Sequence, residues 1–491
     1  MSAARKLSEL VRRDLSGQGL GDPLITGVTA DSRRVKPGML FAALPGSKVD
    51  GRSFIPAALQ AGAAAFLAPD DVSGLPTPVV HAGDLRRAYA LAAAAFWSAQ
   101  PATVVAVTGT NGKTSVATFC RQIFARLGRR AASMGTLGVS ISAAGEADRQ
   151  ITPPGLTTPD AADVAQLMAA MAGEGVTHLA MEASSHGVDQ RRLDGVALTA
   201  AGFLNLTQDH LDYHGTMGVY RAAKLRLFDT LLPRGGTAVL NADSDAFGAF
   251  AATARLSGQT LFSVGEQGQG LALLERSLLP EGQRLKIRAA GKVHDVRLPL
   301  AGAFQASNAL VAAGLCIAAG EDARDVLAAL ETLQGAPGRL QRVGTGRRGG
   351  EAYVDYAHTP DGLETVLAAL RPHVRGRLIV VFGAGGDRDR GKRPQMGEIA
   401  QRLADVAIVT DDNPRSEDPA AIRAAILAAA PGAADIGDRR AAIREGVRLL
   451  GEGDVLVIAG KGHEQGQTVA GVVHPFDDMA ETRAALEAGD D

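Results

Sequence analysis

A glycine-rich turn between an apolar strand and a helix carries the clearest chemistry in the sequence. An apolar run, 104–107, precedes it, and a lysine with two hydroxyl side chains follows at the start of a helical pattern. Backbone N–H groups at a helix N-terminus bind anions, a lysine adds charge for phosphate oxygens, and a hydroxyl can bind Mg²⁺. The pattern therefore predicts a site for ATP or a related triphosphate. Its predicted phosphate-binding residues are Gly109, Thr110, Asn111, Gly112, Lys113, Thr114 and Ser115.

This turn departs from the usual phosphate-loop pattern G-x-x-x-x-G-K-[ST] at one position. Val107 stands where that pattern has a glycine, and Gly109 lies only three residues before Gly112. A bare G-K-T triplet also arises by chance in a chain with 59 glycines, so a structural turn is the alternative. The strand pattern before the turn and the helical spacing of apolar residues after it favour the phosphate site.

Two further loops follow predicted strands and carry acidic and imidazole groups. Glu182 ends the strand 178–182, and its carboxylate is expected to reach a metal ion at the phosphate loop, because neighbouring strands lie about 5 Å apart. The loop 205–215 contains two aspartates and two histidines, among them His210, which favours a ligand or metal site. A surface glutamate and structural histidines are the alternatives. No paired-cysteine framework indicates zinc.

Three polar loops in the last third of the chain suggest a site for a small charged molecule. They are 386–394, 411–415 and 460–464, and each comes soon after an apolar strand pattern. Arginine side chains hold carboxylates through paired hydrogen bonds. A pocket formed by these loops would suit a zwitterion with a carboxylate, and a salt-bridged surface is the alternative. The segment 220–228, in contrast, has an ordinary amphipathic helical pattern, in which Lys224 is expected to be solvated.

The elements that position these loops predict an α/β protein of three domains. Strand and helix patterns alternate, which is typical of mostly parallel sheets covered by helices. Residues 1–100 are expected to form a small α/β domain, 101–335 a central phosphate-loop domain, and 336–491 a Rossmann-like domain. The segment 261–300 is expected to be β-rich and antiparallel, and 308–319 to be a helix. The clearest predicted strands are 27–29, 39–42, 64–67, 79–80, 178–182, 200–206, 378–382, 406–410 and 455–459.

Composition excludes several classes of protein. The chain has 491 residues, of which 46% are hydrophobic, enough for about three domains. A formal net charge of −2 gives no support for a nucleic-acid partner or a membrane surface. The sequence has no run of 18 apolar residues, so we expect no membrane span. The charged N-terminus lacks the apolar core of a signal peptide. Cys120 and Cys316 are expected to be buried free thiols in a reducing compartment, so we predict a cytoplasmic protein.

Together the motifs resemble those of the Mur ligases, the ATP-dependent amide-forming enzymes of peptidoglycan precursor synthesis. Thr108–Thr114 is similar to that family's own variant of the phosphate loop, which accounts for the missing glycine. Asn205–Gly215 resembles the family segment N-x-x-x-D-H-L-D-x-H-G, and Asp355–Pro360 and Gly460–Glu464 are also similar to family segments. The likeness spans nearly the whole chain. The first two motifs are shared with folylpolyglutamate synthetase.

The resemblance implies an enzyme that uses ATP and Mg²⁺. It implies that the catalytic groups are Lys113, Glu182, His210 and Lys224, and that Thr114 joins the last three around the magnesium ions. Lys224 would be carbamylated by CO₂, since a lysine carbamate is an anion and can ligate Mg²⁺. The positions similar to those that hold the nucleotide elsewhere in the family are Asn308, Arg339 and Asp355.

The resemblance also implies two small-molecule substrates. For UDP-N-acetylmuramoyl-L-Ala-D-Glu the matching positions are Ser32, Ser47, Lys48, Val49, Thr157, Thr158, Ser184, Gln190 and Arg192. For meso-diaminopimelate they are Arg388, Asp412, Asn413, Pro414, Arg415, Gly460 and Glu464. The pattern D-N-P-R is typical of enzymes that add diaminopimelate, because its arginine would hold a distal carboxylate that L-lysine lacks. The implied reaction activates the D-Glu carboxylate as an acyl phosphate.

Other functions stay open at this stage. An L-lysine-adding or otherwise different Mur ligase is the nearest alternative. Folylpolyglutamate synthetase fits less well, because about 100 residues precede the phosphate loop. A non-catalytic nucleotide-binding sensor belongs to another class, and the joint presence of Lys113, Glu182, His210 and Lys224 argues against it. We expect a monomer with no nucleic-acid partner and no membrane span.

Overall fold

The computed structural model describes residues 4–11, 21–46, 49–153, 155–279 and 282–488. The chain folds into two compact units. The first consists of Met1–Ala272 and Leu310–Val326, and the second of Leu273–Ala309 and Leu327–Asp491. The chain therefore passes from one unit to the other three times. The finer division at residues 100 and 335 stays a prediction.

The first part of the chain forms a small parallel sheet. The strands of this region are β1 (Arg5–Lys6) and β2 (Leu24–Ile25), which form a separate antiparallel pair, and β3 (Val28–Thr29), β4 (Leu40–Ala42), β5 (Ala65–Ala68) and β6 (Val79–His81), which form the sheet. Its helices are α1 (Leu7–Val11), α2 (Ile55–Gln60) and α3 (Leu85–Trp97), with 3₁₀ turns at Ser32–Arg34 and Gly51–Phe54. Strands β3-β4-β5-β6 are parallel in that order, and β1 pairs with β2. The four strands predicted here are confirmed within one residue at each end.

The middle of the chain supplies most of the central strands and helices. The strands are β7 (Thr103–Thr108), β8 (Ala131–Gly135), β9 (Gly138–Ser142), β10 (Arg149–Thr152), β11 (His178–Glu182), β12 (Ala200–Phe203), β13 (Thr237–Asn241), β14 (Thr260–Gly265), β15 (Leu271–Leu279), β16 (Gly282–Ala289) and β17 (Lys292–Leu298). The helices are α4 (Lys113–Arg126), α5 (Ala161–Gly173), α6 (Ser185–Asp189), α7 (Leu211–His214), α8 (Met217–Arg226), α9 (Phe247–Leu256), α10 (Ala303–Ala318) and α11 (Ala323–Ala329). A π-helical turn spans Leu227–Leu231 and a 3₁₀ turn Leu330–Thr332.

The phosphate-loop strand lies in the middle of the first unit's sheet. The order is β10-β9-β8-β11-β7-β12-β13-β14, and only β9 runs opposite to the other strands. Strand β7 is apolar and buried along nearly its whole length because both of its faces are covered. The chain proceeds from β7 toward β8 on one side and reaches β12 on the other. Such a switch point in strand order leaves a crevice at the strand ends, where ligands bind in open α/β sheets.

The second unit contains another mostly parallel sheet. Its strands and hairpin are β18 (Gln341–Thr345), β19 (Glu351–Asp355), β20 (Leu378–Phe382), β21 (Val406–Val409), β22 (Ala434–Asp435), β23 (Val455–Ala459), β24 (Gly466–Val469) and β25 (Val472–Pro475). Its helices are α12 (Pro360–Leu370), α13 (Lys392–Leu403), α14 (Pro419–Leu427), α15 (Arg439–Leu449) and α16 (Asp478–Ala488), with a 3₁₀ turn at Arg371–His373. The sheet order is β18-β19-β23-β20-β21-β22, and only β18 is antiparallel.

These elements confirm the predicted α/β fold class. The strands 178–182, 378–382 and 455–459 match the prediction, and β16 and β17 form the expected antiparallel pair. Cys120 on α4 and Cys316 on α10 are buried free thiols, as predicted. Among the helices that the structure describes, none has the length and apolar character needed to cross a membrane.

Candidate active site

The loop after β7 is shaped by a left-handed glycine and by the side chain of Asn205. Gly112 has φ of 89° and caps helix α4, which begins at Lys113. The Asn205 side-chain oxygen accepts hydrogen bonds from the backbone N–H groups of Thr110 at 3.1 Å and Asn111 at 2.9 Å. Val107 is an interior strand residue paired with Glu182, so the position that usually holds glycine lies outside this turn. The turn itself is the compact segment 109–112 at a helix N-terminus.

Two lysines converge on one carbonyl oxygen of this loop. Lys113 Nζ donates to the Gly109 carbonyl at 2.9 Å and the Thr110 carbonyl at 2.8 Å. Lys224 Nζ donates to the same Gly109 carbonyl at 2.8 Å and lies 4.4 Å from the centre of the Tyr220 ring. Burial and the nearby Lys113 ammonium lower the pKa of Lys224 well below its usual value.

The expectation of a solvated Lys224 is wrong. Its side chain is only 1% exposed. The amphipathic pattern placed Lys224 on the polar side of α8, but that side of the helix faces the phosphate loop and not solvent. The physical consequence is a buried amine whose pKa is lowered, so that it loses its proton more readily than an exposed lysine does.

A buried pair of oxygen donors lies beside the loop. Thr114 Oγ1 donates to Glu182 Oε2 at 3.1 Å, and the two residues are 7% and 2% exposed. Glu182 is held in place by the Thr136 backbone N–H, which donates to its Oε1 at 2.8 Å. The neighbouring positions of β7 and β11 in the sheet bring these groups together, as the sequence predicted. Carboxylate and hydroxyl oxygens are the donors that Mg²⁺ prefers, so the residues fit that ion.

The predicted ligand His210 contacts other groups. It has φ of 52° and caps α7, and its imidazole is about half exposed. Its Nε2 lies 3.4 Å from Asp209 Oδ2, and its ring lies 4.8 Å from the ring of His186. Within the described part of the chain, no group of three or more His, Cys, Asp or Glu side chains is arranged to hold a metal ion. The oxygen pair of Thr114 and Glu182 therefore provides the geometric support for a metal here.

Five residues predicted to contact the muramoyl-dipeptide form one connected network in the first unit. Thr158 is buried, and its hydroxyl donates to the Glu182 carbonyl at 2.9 Å and bonds Ser184 Oγ at 3.0 Å. Arg192 donates to the Thr158 carbonyl at 2.6 Å and to Gln190 Oε1 at 2.7 Å. Thr157 bonds Thr136 through their hydroxyls at 2.9 Å. This network adjoins the Glu182 carboxylate.

The residues predicted to contact uridine lie in the first part of the chain. Ser32 begins a 3₁₀ turn capped by Asp31, whose side chain accepts from the Arg33 N–H. Val49 is 55% exposed. Ser47 and Lys48 lie outside the described residues.

The three residues predicted to hold the nucleotide, Asn308, Arg339 and Asp355, all lie in the second unit, and Asp355 is a buried carboxyl group. Asp355, at the end of β19, accepts from the Leu340 N–H at 2.6 Å and the Ala357 N–H at 2.8 Å. Burial raises its pKa to about 6. The Arg339 guanidinium lies 4.7 Å from the Tyr356 ring centre, and Asn308 donates to Gln305 at 3.0 Å.

The loops after β21 and β23 are joined in the second unit by a buried ammonium. Lys461 is 0% exposed and donates to Asn413 Oδ1 at 3.1 Å and Glu464 Oε2 at 3.3 Å. Asn413 also donates to Glu464 Oε2 at 2.9 Å. Asn413 and Glu464, two residues predicted to contact the amino acid, are thus bonded to each other and to the Lys461 side chain.

Arg415 lies where the loop after β21 meets two other segments. It has φ of 53°, and its Nη1 donates to the Gly386 carbonyl at 2.8 Å. Its backbone pairs with the hairpin β24–β25, since its N–H donates to Thr468 O at 3.0 Å and its carbonyl accepts from Ala470 at 2.7 Å. Pro414 is buried. Arg388 is exposed, and its neighbour Asp387 accepts a hydrogen bond from the Ser416 hydroxyl. The positive guanidinium is thus held on a braced backbone.

Sequence reasoning missed Thr136, Tyr220 and Thr468. Thr136 follows β8, the neighbour of β11, and only the strand order of the folded sheet places it beside Glu182. Lys461 lies in the polar loop 460–464 that the sequence singled out, but no role was predicted for it. Tyr220 and Thr468 carry no signal in a single sequence, because their role depends on tertiary contacts.

Comparison with known proteins identifies relatives over nearly the whole chain. Three sequence models match: "Mur ligase family, catalytic domain" at 24–97, "Mur ligase middle domain" at 107–316, and "Mur ligase, glutamate ligase domain" at 338–462. A curated protein of Caulobacter vibrioides, UDP-N-acetylmuramoyl-L-alanyl-D-glutamate–2,6-diaminopimelate ligase, is 72% identical over 487 residues, 99% of each chain. The protein of the same name from Mesorhizobium japonicum is 54% identical, with 96% of this chain and 97% of that one covered.

A solved structure has the same architecture. It is a UDP-N-acetylmuramoyl-L-alanyl-D-glutamate–2,6-diaminopimelate ligase with 33% sequence identity and a TM-score of 0.74, and the match covers 99% of each chain. The similarity therefore extends from the sequence motifs to the order and arrangement of the elements that carry them.

Proposed function

The chain belongs to the Mur ligase family, and we propose that it joins meso-diaminopimelate to the D-Glu carboxylate of UDP-N-acetylmuramoyl-L-Ala-D-Glu with ATP. The observation that carries the proposal is the 72% identical, full-length relative that bears this activity in its name. The Asp412–Arg415 segment supports the same amino acid, because Arg415 offers a guanidinium for a second carboxylate.

The phosphate loop and its two lysines are suited to phosphoryl transfer. The γ-phosphoryl group of ATP moves to a carboxylate oxygen of D-Glu, which gives an acyl phosphate and ADP. The amine of diaminopimelate then attacks the carbonyl carbon, and phosphate leaves as the amide forms and the amine loses a proton. Such transfer requires positioning and neutralisation of charge more than a nucleophile on the protein. We propose that the segment 109–115 holds the phosphates through Lys113 and the N–H groups at the start of α4.

We propose that Thr114 and Glu182 hold Mg²⁺, with His210 and a carbamylated Lys224 nearby. When bound, Mg²⁺ neutralises the phosphate oxygens. The buried Lys224 supports the carbamate, because a neutral amine is the form that reacts with CO₂ and its pKa is lowered by burial and by Lys113. A carbamate would also place an anion beside Lys113 in place of a second basic amine.

Removal of CO₂ provides a test of the carbamate. Wild-type enzyme assayed in degassed, bicarbonate-free buffer is expected to lose activity and to regain it when bicarbonate is added. Lys224→Ala should lose at least about 100-fold in kcat, roughly 3 kcal/mol, and should not respond to bicarbonate. Arg221→Ala, on an exposed position of the same helix, is the matched control. Full activity of Lys224→Ala would disprove the proposed role.

Other site residues are assigned by the same proposal. Asn308, Arg339 and Asp355 are assigned to the nucleotide. The UDP-linked substrate is bound by Ser32, Ser47, Lys48, Val49, Thr157, Thr158, Ser184, Gln190 and Arg192, and the network around Thr158 supports the last five. Three domains with boundaries near 100 and 335 fit the three matched family segments. The free buried thiols fit a cytoplasmic enzyme.

An amino-acid panel tests the function. Purified protein is incubated with UDP-N-acetylmuramoyl-L-Ala-D-Glu, ATP and Mg²⁺, and phosphate release is measured with meso-diaminopimelate, L-lysine, L-ornithine or D-alanyl-D-alanine. Release should depend on diaminopimelate and exceed that with L-lysine by at least about 100-fold. Equal or faster release with L-lysine would identify a lysine-adding enzyme. Absence of release with every amino acid would contradict the ligase function itself.

A further inference from the structure

A fully buried ion pair lies behind the proposed amino-acid site. Arg439 is the first residue of α15 and Asp478 the first residue of α16, and both side chains are 0% exposed. Arg439 Nε donates to Asp478 Oδ1 at 2.8 Å, and Nη2 donates to Oδ2 at 2.7 Å. The paired geometry fixes the orientation of the guanidinium plane.

The other hydrogen bonds of this guanidinium go to the ends of two strands. Nη2 donates to the Ala459 carbonyl, the last residue of β23, at 3.0 Å. Nη1 donates to the Asp411 carbonyl, two residues after β21, at 3.4 Å. Strand β20 lies between β21 and β23 in the sheet, so one side chain links two strand ends across an intervening strand.

The residues that follow these two carbonyls belong to the proposed site. Asp412 follows Asp411, and Gly460 follows Ala459. Asp412 is 6% exposed, and among the described residues its Oδ2 has no hydrogen-bond partner. A methyl group added to Gly460, which has φ of 126°, would lie 2.4 Å from that oxygen and 3.6 Å from Arg439 Nη2. The free carboxylate oxygen of Asp412 therefore occupies the space beside Gly460, and its position depends on the separation of the two strand ends.

A gain in folding stability does not readily explain why Arg439 and Asp478 form a buried ion pair. A buried ion pair loses hydration that its attraction only partly restores, and an apolar pair of similar volume is often at least as stable. A cation in the first turn of α15 is also opposed by the helix dipole. We infer that Arg439, oriented by Asp478, is a positioning residue that sets the place of Asp412 and Gly460 for the incoming amino acid. The inference rests on the proposed function of that site.

An apolar replacement of the pair separates positioning from stability. The double variant Arg439→Met/Asp478→Leu replaces both side chains with apolar ones and removes both charges. We expect the double variant to fold, with a melting temperature close to wild type and a KM for diaminopimelate at least tenfold higher. The KM for ATP and the KM for the UDP-linked substrate should change less than twofold, because the residues proposed for them lie elsewhere.

A neighbouring ion pair on the same two helices supplies the control. Arg440 on α15 donates to Glu481 on α16 at 2.7 Å, and Arg440 is half exposed. Arg440→Met/Glu481→Leu should leave all three KM values unchanged. Equal KM values for diaminopimelate in wild type and in a folded Arg439→Met/Asp478→Leu would overturn the inference.

A conservative variant covers the case in which the double variant does not fold. Arg439→Lys keeps the charge but cannot bond Asp478, Ala459 and Asp411 together, so the KM for diaminopimelate should rise three- to tenfold in folded protein. A lower melting temperature with an unchanged KM would show a structural role only and would overturn the inference. Failure of the proposed function is distinct, since wild type itself would then release no phosphate in response to any amino acid.

Discussion

Buried charged groups mark the chemistry of this chain at the scale of single residues. Lys224 is an amine enclosed beside another cation, Asp355 is a carboxyl whose pKa burial raises to about 6, and Asp412 keeps one carboxylate oxygen without a partner among the described residues. Each arrangement costs free energy in the folded protein. Perturbed groups of this kind concentrate at functional sites, because a ligand or a modification can supply the missing partner.

Arg415→Lys should shift the choice of amino acid. Lysine presents one ammonium in place of a planar guanidinium with paired donors, so it holds a distal carboxylate less well. We expect kcat/KM for diaminopimelate to fall about 10- to 100-fold, roughly 1.4–3 kcal/mol. Steady-state assays with diaminopimelate and L-lysine measure this, and Arg402→Lys on α13, which pairs with Glu364 on α12 instead, is the control. An unchanged kcat/KM for diaminopimelate would exclude a contact with Arg415.

Asp355 should make stability depend on pH in the opposite sense to a salt-bridged carboxylate. Its pKa is raised from 3.8 to about 6 by burial, so the folded state keeps its proton while the unfolded state releases it. The free energy of unfolding of wild type should therefore fall relative to Asp355→Asn as pH rises from about 4 to 6, by up to about 3 kcal/mol, and stay constant above.

Urea denaturation at several pH values measures this difference. The exposed Asp361→Asn, on α12, serves as the control for loss of a carboxylate. A difference between wild type and Asp355→Asn that is the same at pH 4 and pH 7 would contradict the prediction.

Residue types and spacing in the sequence indicated most of the candidate site residues. The others stand out only through their burial in the folded structure. Glu182 was expected to reach a metal ion at the phosphate loop, which carries Thr114, because it ends a predicted strand and neighbouring strands lie about 5 Å apart. Lys224 could not be recognised from its pattern, because a polar position on a helix is exposed only if no other element covers it. Arg439 was missed for the same reason.

At the scale of elements, the turn 109–112 connects the buried strand β7 to the N-terminus of helix α4. The strand bounds were predictable where apolar runs end at glycine or polar residues, as at 178–182 and 455–459. The predicted strand 200–206 ends instead at Phe203, because the chain turns there to place Asn205 against the phosphate loop. Helix α10 begins a full turn before its prediction.

Gly112→Ala should weaken ATP binding more than it weakens the fold. A side chain at φ of 89° is strained by roughly 1 kcal/mol, and relief of that strain would turn the loop N–H groups away from the phosphates. We expect the KM for ATP to rise about tenfold or more. Gly128→Ala is the matched control at the other end of α4, with φ of 81° and open space around it, and it should lower stability but keep the KM for ATP. Equal KM values for Gly112→Ala and wild type would contradict the proposed phosphate loop.

At the scale of the whole molecule, the two units should respond separately to ligands. The residues proposed for diaminopimelate all belong to the second unit. Two compact units predict two thermal transitions by differential scanning calorimetry. Diaminopimelate at about 100 times its Kd should raise the second unit's transition by roughly 5–10 °C and leave the other unchanged.

The same scan of Arg415→Lys identifies the transition that belongs to the second unit, because its ligand-induced shift should shrink. A single transition that moves as a whole, or a shift of both transitions with diaminopimelate, would contradict this assignment.

The repeated passage of the chain between the units limits how this protein can be divided. The segment Leu310–Val326 completes the first unit after the chain has already entered the second. Val311 and Leu315 on α10 pack beside Gly202 of β12, in the middle of the sheet. A fragment that stops at residue 272 therefore lacks part of its own core. A single proteolytic cut or gene truncation cannot release either unit intact, and separate expression of the halves would require rejoining of the chain in a new order.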